Sequence, residues 1–235
     1  MPEKNPSKIK VDFHCHTEYS VDCLVKLEDI IKERKRKGLD RIAITDHGNI
    51  EGALIAKEMD PDGIIVGQEI KTRQGELIAY FVKEEISEGM GSEETVQELK
   101  KQGAFISVPH PFDRSRGKCW TEKELEKIID DLDALEGFNS RVPTNSLNIK
   151  AMKFAKEHGK DITVGSDAHS TYEIGRSYLI LDDFSNADEL RHHLIKECEK
   201  FDFQMLSEDV KPFLFNTSSI NRVEFFADYI KTVPL

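Results

Sequence analysis

The sequence contains no run of 18 consecutive apolar residues, so a membrane-spanning helix is not expected. Its opening stretch, "MPEKNPSKIK", is charged and lacks the apolar segment of a secretory signal, which points to a cytoplasmic protein with no membrane partner. Cysteine is scarce. The four residues Cys15, Cys23, Cys119 and Cys198 form no C-x-x-C pair and read as reduced thiols. Excess positive charge is missing too: the net charge is −11, whereas broad nucleic-acid binding needs a basic footprint. A small anionic substrate stays compatible with that balance, because a few local cations can reverse the field inside one cleft. Long linkers, low-complexity tracts and internal repeats are also absent.

What is present is a regular alternation. With 38% hydrophobic and 33% charged residues, 235 residues supply ample core for one domain. Apolar runs "IKVDF", "RIAIT", "GIIVG", "AFISV", "ALEGF" and "DITVG" alternate with amphipathic stretches such as "LVKLEDIIKERKRKG" and "NSLNIKAMKFAKEHG". Strand–helix alternation repeated this often predicts a parallel sheet closed as an α/β barrel. Gly38, Gly63, Gly103 and Gly159 precede strands and fit helix C-caps. The "RQGE" turn within "GIIVGQEIKTRQGELIAYFV" predicts a hairpin that interrupts the pattern, and "TEKELEKIIDD" predicts a helix. The basic run "KERKRKG" reads as the last turn of a helix, where cations suit the dipole. The barrel core is expected over about residues 8–200. Residues 201–235 break the alternation and read as an appended segment with a helix in "SSINRVEFFADYIK".

Histidine is uncommon here, eight residues in all, and five of them fall at strand ends. In "VDFHCHTEYSVD", His14 and His16 are two apart, so on a strand they project to one face while Cys15 turns toward the core. Imidazoles about 6–7 Å apart at Cα can converge on one cation at bonds of about 2.0–2.1 Å. One H-x-H is weak evidence, but the other strand ends carry Asp46-His47, Glu69, His110, Asn139, Asp167 and His169. Strand C-termini of such a barrel open on one face, where active sites form. Any single strand-end Asp can be a helix cap; so many imidazoles and acids together indicate a multi-metal site. His158, His192 and His193 lie in predicted helices and read as surface residues.

The ordered motifs "HCHTEYS", "TDH", "GQE", "HPFDR" and "GSDAH" resemble those of the PHP (polymerase and histidinol phosphatase) family, over residues 11 to about 180. The resemblance implies a distorted (β/α)7 TIM-like barrel holding two or three divalent ions, with Zn, Mn or Fe favoured by mixed imidazole and carboxylate ligands. Carried over position by position, His14, His16 and Asp167 bind a first ion that Glu69 bridges to a second. His110 holds the second, and Asp22, His47 and His169 hold a third. The chain departs from the family at Asn139, where several members place a further ligand; the amide is then a weak ligand or a substrate contact. Asp46 and His169 are the catalytic candidates, with Asp46 orienting an imidazole. Arg141 is the candidate phosphate clamp. Arg116 and Lys118 read as solvated loop charges or further phosphate contacts, Arg176 is unassigned, and Trp120 reads as a ring-stacking or core residue.

The implied activity is hydrolysis of a phosphomonoester, a small phosphorylated metabolite or nucleotide, by metal-activated water. Alternatives are a phosphodiesterase or exonuclease on nucleic acid or nucleotide diesters, a non-catalytic PHP binding module, and a carbon–nitrogen hydrolase of the amidohydrolase type. The last typically uses a barrel lysine where "GQE" supplies a carboxylate.

Overall fold

Short Ile/Val-rich runs form the strands of the computed structural model, which describes residues 8–198 and 223–226. The strands are β1 (Lys8–Cys15), β2 (Arg41–Ile44), β3 (Ile64–Lys71), β4 (Glu76–Tyr80), β5 (Phe105–Val108), β6 (Ala134–Asn139), β7 (Asp161–Gly165), β8 (Ser177–Asp182) and β9 (Val223–Phe226). The helices are α1 (Leu27–Lys37), α2 (Glu51–Met59), α3 (Ser92–Gln102), α4 (Glu122–Leu125), α5 (Asn145–Glu157) and α6 (Ala187–Cys198). All strands join one sheet in the order β7-β6-β5-β4-β3-β2-β1-β8-β9, and β1 to β8 curl into a nearly closed, distorted barrel. Among the described residues no helix is long and apolar enough to cross a membrane.

The distortion has two sources. The predicted "RQGE" hairpin is real: β4 runs antiparallel to both β3 and β5, so its first residue, rather than its last, lies at the mouth. At the seam, the start of β1 pairs antiparallel with β8 from Lys8↔Asp182 to Val11↔Leu179. Beyond that point β1 turns to the chain leaving β7. Asp167 N–H donates to His14 O at 2.8 Å, His16 N–H to Ala168 O at 3.0 Å, and Cys15 bridges Ala168. Buried Asp12 sits where β1 changes partner. It accepts from the N–H groups of His14, Ser166 and Gly175 at 3.2, 2.9 and 3.0 Å.

Gly38 and Gly103 cap α1 and α3 in the left-handed conformation, with φ of 68° and 73°. Gly63 does not cap a helix. It is bare because a Cβ there would meet the Arg34 guanidinium at 2.4–2.5 Å. Arg34 is buried on α1, donating to Leu39 O (2.8 Å), Asp40 O (2.7 Å) and Asp60 Oδ2 (2.6 Å). Arg34→Ala would remove the donors of two carbonyls and leave the buried Asp60 carboxylate facing the exposed Lys35 alone, at 3.4 Å. We expect it to lower the unfolding free energy by about 3–5 kcal/mol, read by urea denaturation.

Two helix expectations are corrected. "TEKELEKIIDD" gives only the short α4, held by a Thr121–Glu124 capping box, before a 3-10 turn at Ile129–Asp131. In "SSINRVEFFADYIK" the described residues Val223–Phe226 form a strand parallel to β8, where β-rich "VEFF" finds a sheet edge to extend. The rest of the appended segment 201–235 lies outside the described residues.

Candidate metal centre

Strand ends around the barrel mouth deliver their side chains to one point. The Nε2 atoms of His14 and His16 lie 3.1 Å apart, and Glu69 Oε2 is 3.1 Å from each. Glu69 Oε1 meets His110 Nε2 at 3.0 Å, and Glu69 Oε2 lies 3.5 Å from His47 Nε2. Asp167 Oδ1 is 3.6, 3.5 and 3.5 Å from His14 Nε2, His16 Nε2 and His169 Nδ1. On the outer side, Asp22 Oδ2 lies 3.3 Å from His169 Nε2 and 3.8 Å from His47 Nε2. The structure therefore brings together all eight residues expected as metal ligands. Cys15 is fully buried in the apolar cluster with Ile42 and Ile44, as the strand alternation requires.

The backbone is bent to do this. His110 and Asp167 adopt positive φ, 27° and 54°, just past the ends of β5 and β7, a conformation rare outside glycine. At Gly165 a Cβ would stand 2.3 Å from His14 Cβ and 2.6 Å from Glu136 Oε1. Only glycine allows that imidazole and that carboxylate to meet.

Electrostatics separate the groups. Burial opposes protonation of His14, yet the charges of Asp167, Glu136 and Glu69 outweigh it and push its pKa well above the ordinary imidazole value. Burial likewise works against ionised Glu69 and Asp167, but the surrounding imidazoles, with Arg116 beside Asp167, hold both below the usual carboxylate range. His47, desolvated, falls to about 4. These opposed shifts mark a cavity that stabilises anionic ligands only when positive charge lies among them.

Divalent cations fit that demand. His14 Nδ1 is 2.9 Å from Glu136 Oε1, so the Nδ1–H points to Glu136 and Nε2 faces inward, where its lone pair is available once a cation takes the place of the Nε2 proton. There it confronts His16 Nε2 and a carboxylate oxygen. Asp167 Oδ1 is buried in the same space with no hydrogen-bond partner. Lone pairs converging on an orphaned oxygen are the donor set a divalent ion requires.

Two candidates occupy places other than those expected. Asp46 orients no imidazole: its two oxygens accept from Thr17 N–H at 2.6 Å and Thr17 Oγ at 2.7 Å, fixing the loop after His16. The ring-orienting place belongs to Glu136 on β6, which also accepts from His110 N–H (2.8 Å) and Asn139 Nδ2 (2.9 Å). Asn139 is a strut, not an open ligand or substrate contact. Its Nδ2 donates to Glu136 and, at 3.2 Å, to Asp167 Oδ2, while its Oδ1 accepts from Arg141 N–H at 2.8 Å. Trp120 follows the core reading: it is buried and donates from Nε1 to Glu76 O at 2.9 Å.

Arg141 stays at the mouth, one-third exposed, with Nη1 3.3 Å from Asp167 O. Arg116 is not a solvated loop charge, since its guanidinium reaches Asp167 and Asp113. Glu76 was missed. Its Oε2 lies 3.8 Å from His110 Nε2, and it forms a possible ligand set with His47 and Glu69. Burial and the Glu69 charge push its pKa up to about 7. The hairpin was the available signal, because an antiparallel strand brings its beginning to the mouth.

Comparison with known proteins agrees with this geometry. The family model described as PHP domain matches residues 12–141, and one described as PHP-associated matches residues 145–197. An uncharacterised protein of Methanocaldococcus jannaschii is 35% identical over 147 residues, 56% of this chain and 82% of its own length. A protein of Caldicellulosiruptor bescii named "Probable phosphatase" is 27% identical over 202 residues, covering 72% and 83%. Among solved structures, a two-domain protein of Bacteroides vulgatus, described as containing a predicted PHP-like metal-dependent phosphoesterase, superposes with TM-score 0.60 at 24% identity. The match covers 72% of this chain and 54% of that one, so this chain spans about half of it. Motif order, barrel, convergent ligands and a family match over more than half the sequence lead to one assignment: the chain belongs to the PHP family.

Proposed function

We propose that the protein is a metal-dependent phosphoesterase that hydrolyses phosphomonoesters of small metabolites or nucleotides. The observation that carries this reading is the convergence of His14, His16, Glu69 and Asp167, with Asp167 Oδ1 left unpartnered between three imidazoles. His14, His16, Glu69 and Asp167 would hold a first divalent ion, Glu69 and His110 a second with Glu76 in reach, and Asp22, His47 and His169 a third. Such ions lower the pKa of water toward 7 and offset charge on a phosphoryl group.

The remaining residues serve that centre. Glu136 fixes the tautomer and tilt of His14, which keeps the Nε2 lone pair inward. Asp46, through Thr17, holds the loop that carries Asp22. His169 keeps Nδ1 at 3.0 Å from Asp167 O, leaving Nε2 to face Asp22. Arg141, exposed beside Asp167, offers a guanidinium fork to phosphate oxygens.

Protein loaded with Mn²⁺, Zn²⁺ or Fe²⁺ should be assayed on nucleoside and sugar monophosphates beside bis(p-nitrophenyl) phosphate and a short oligonucleotide. We expect hydrolysis of monoesters that a chelator removes and added ion restores. Turnover of diesters alone would replace this reading with the phosphodiesterase one. A metal-loaded sample inert toward every ester would end both.

A further inference from the structure

Asp167 uses its two oxygens differently. Oδ1 faces the imidazoles with no hydrogen-bond partner, whereas Oδ2 accepts from Asn139 Nδ2 at 3.2 Å and from the Arg116 guanidinium. Arg116 is itself anchored. Its Nε donates to Asp113 Oδ2 at 3.2 Å, and Asp113 Oδ1 accepts from Ser115 N–H at 2.9 Å and Ser115 Oγ at 2.6 Å. Asp113 is almost fully buried and the Arg116 side chain is 22% exposed, so the fork is shielded rather than waving in solvent. Asp113 N–H also donates to His110 O at 3.0 Å, which ties this brace to the segment that carries a second ligand.

A carboxylate has two equivalent oxygens and rotates about its Cβ–Cγ bond. For one oxygen to stay aimed at a cation, something must hold the other. Two donors on Oδ2 do this, and the stronger is the charged one. We infer that Arg116 is a positioning residue for Asp167: clamped by Asp113, it pins Oδ2 and thereby presents Oδ1 to the cation centre. The inference rests on the cation-binding reading above. It gives the run "FDRSR" a task distinct from gripping substrate phosphate, the role open to exposed Arg141.

The test is Mn²⁺ affinity without substrate, read by competition with a chromophoric chelator on wild type, Arg116→Ala, Arg116→Lys and the exposed neighbour Arg114→Ala. Loss of an outer hydrogen-bond partner of a metal ligand typically weakens binding about 10–100-fold. We expect that range for Arg116→Ala, partial recovery in Arg116→Lys, which keeps the charge but not the fork, and no change in Arg114→Ala. Asp113→Asn, which loosens the anchor, should show a smaller loss in the same direction and covers the case in which Arg116→Ala fails to fold. Wild-type affinity in both Arg116→Ala and Asp113→Asn would overturn the role of Arg116 and leave the metal centre intact. So would a raised KM with unchanged Mn²⁺ affinity, the signature of a phosphate contact. Wild-type protein that binds no Mn²⁺ would overturn both this inference and the reading beneath it.

Discussion

Glu69→Gln is expected to abolish turnover while leaving the barrel folded. Glu69 is the side chain that contacts His14, His16, His47 and His110 together, so it links the two ends of the ligand array. Glutamine keeps the shape but removes the charge, and its amide nitrogen turns a donor toward an inward lone pair. Removing one preorganised charge-stabilising group commonly costs about 10²–10³ in kcat. Glu69 belongs to two of the candidate ligand groups and would serve more than one cation, so a loss on the order of 10³ or more in kcat/KM is expected, with weaker binding of at least one Mn²⁺ equivalent. The circular dichroism spectrum should remain that of the folded barrel, with a lower cation-free melting temperature because the imidazoles lose the buried charge that faced them. A Glu69→Gln enzyme within tenfold of wild type would show that these ligands do not act as one centre.

The second large effect falls on a residue that touches no cation position directly. Glu136→Ala removes the acceptor for His14 Nδ1, His110 N–H and Asn139 Nδ2 at once. Each buried donor left unpaired costs about 1–3 kcal/mol. Unfolding free energy should fall by about 3 kcal/mol or more, and Mn²⁺ affinity by about 10–100-fold as His14 loses its fixed tautomer. Glu136→Gln, which retains one good acceptor, should recover part of both. Near-wild-type stability and affinity in Glu136→Ala would refute the account of His14 given above.

The sequence already disclosed the parts of the site that obey a period. His14 and His16 are spaced by two where an apolar run ends. Asp167 and His169 share that spacing but lie past β7, where the left-handed turn at Asp167 rather than strand alternation sets their directions. The rule that parallel strands end at the mouth gathered most of the rest. It failed where a residue escapes that rule. Glu76 begins an antiparallel strand, so it arrives at the mouth from the opposite direction. Glu136 and Asp12 lie inside strands and look like ordinary alternation, and only the fold reveals that they face the cavity or the seam. Asp46 carried the right position but the wrong partner, because Thr17 reaches it first. Capping glycines behaved likewise. Gly38 and Gly103 followed local chain chemistry, whereas Gly63 answers to Arg34, distant in sequence and invisible to a local rule.

The change of partner along β1 bears on how this molecule acquires its activity. His14 and Asp167 face each other only once the chain emerging from β7 has docked beside β1, joining positions some 150 residues apart in the polypeptide. Contacts of such long range are slow to form, because the intervening chain must first surrender its freedom. During synthesis the nascent protein therefore carries its early histidines unmatched until the last ligands leave the ribosome. A divalent ion held by His14 and Asp167 would grip both flanks of the seam as a rivet on the finished ring, and would slow its reopening more than it hastened its assembly.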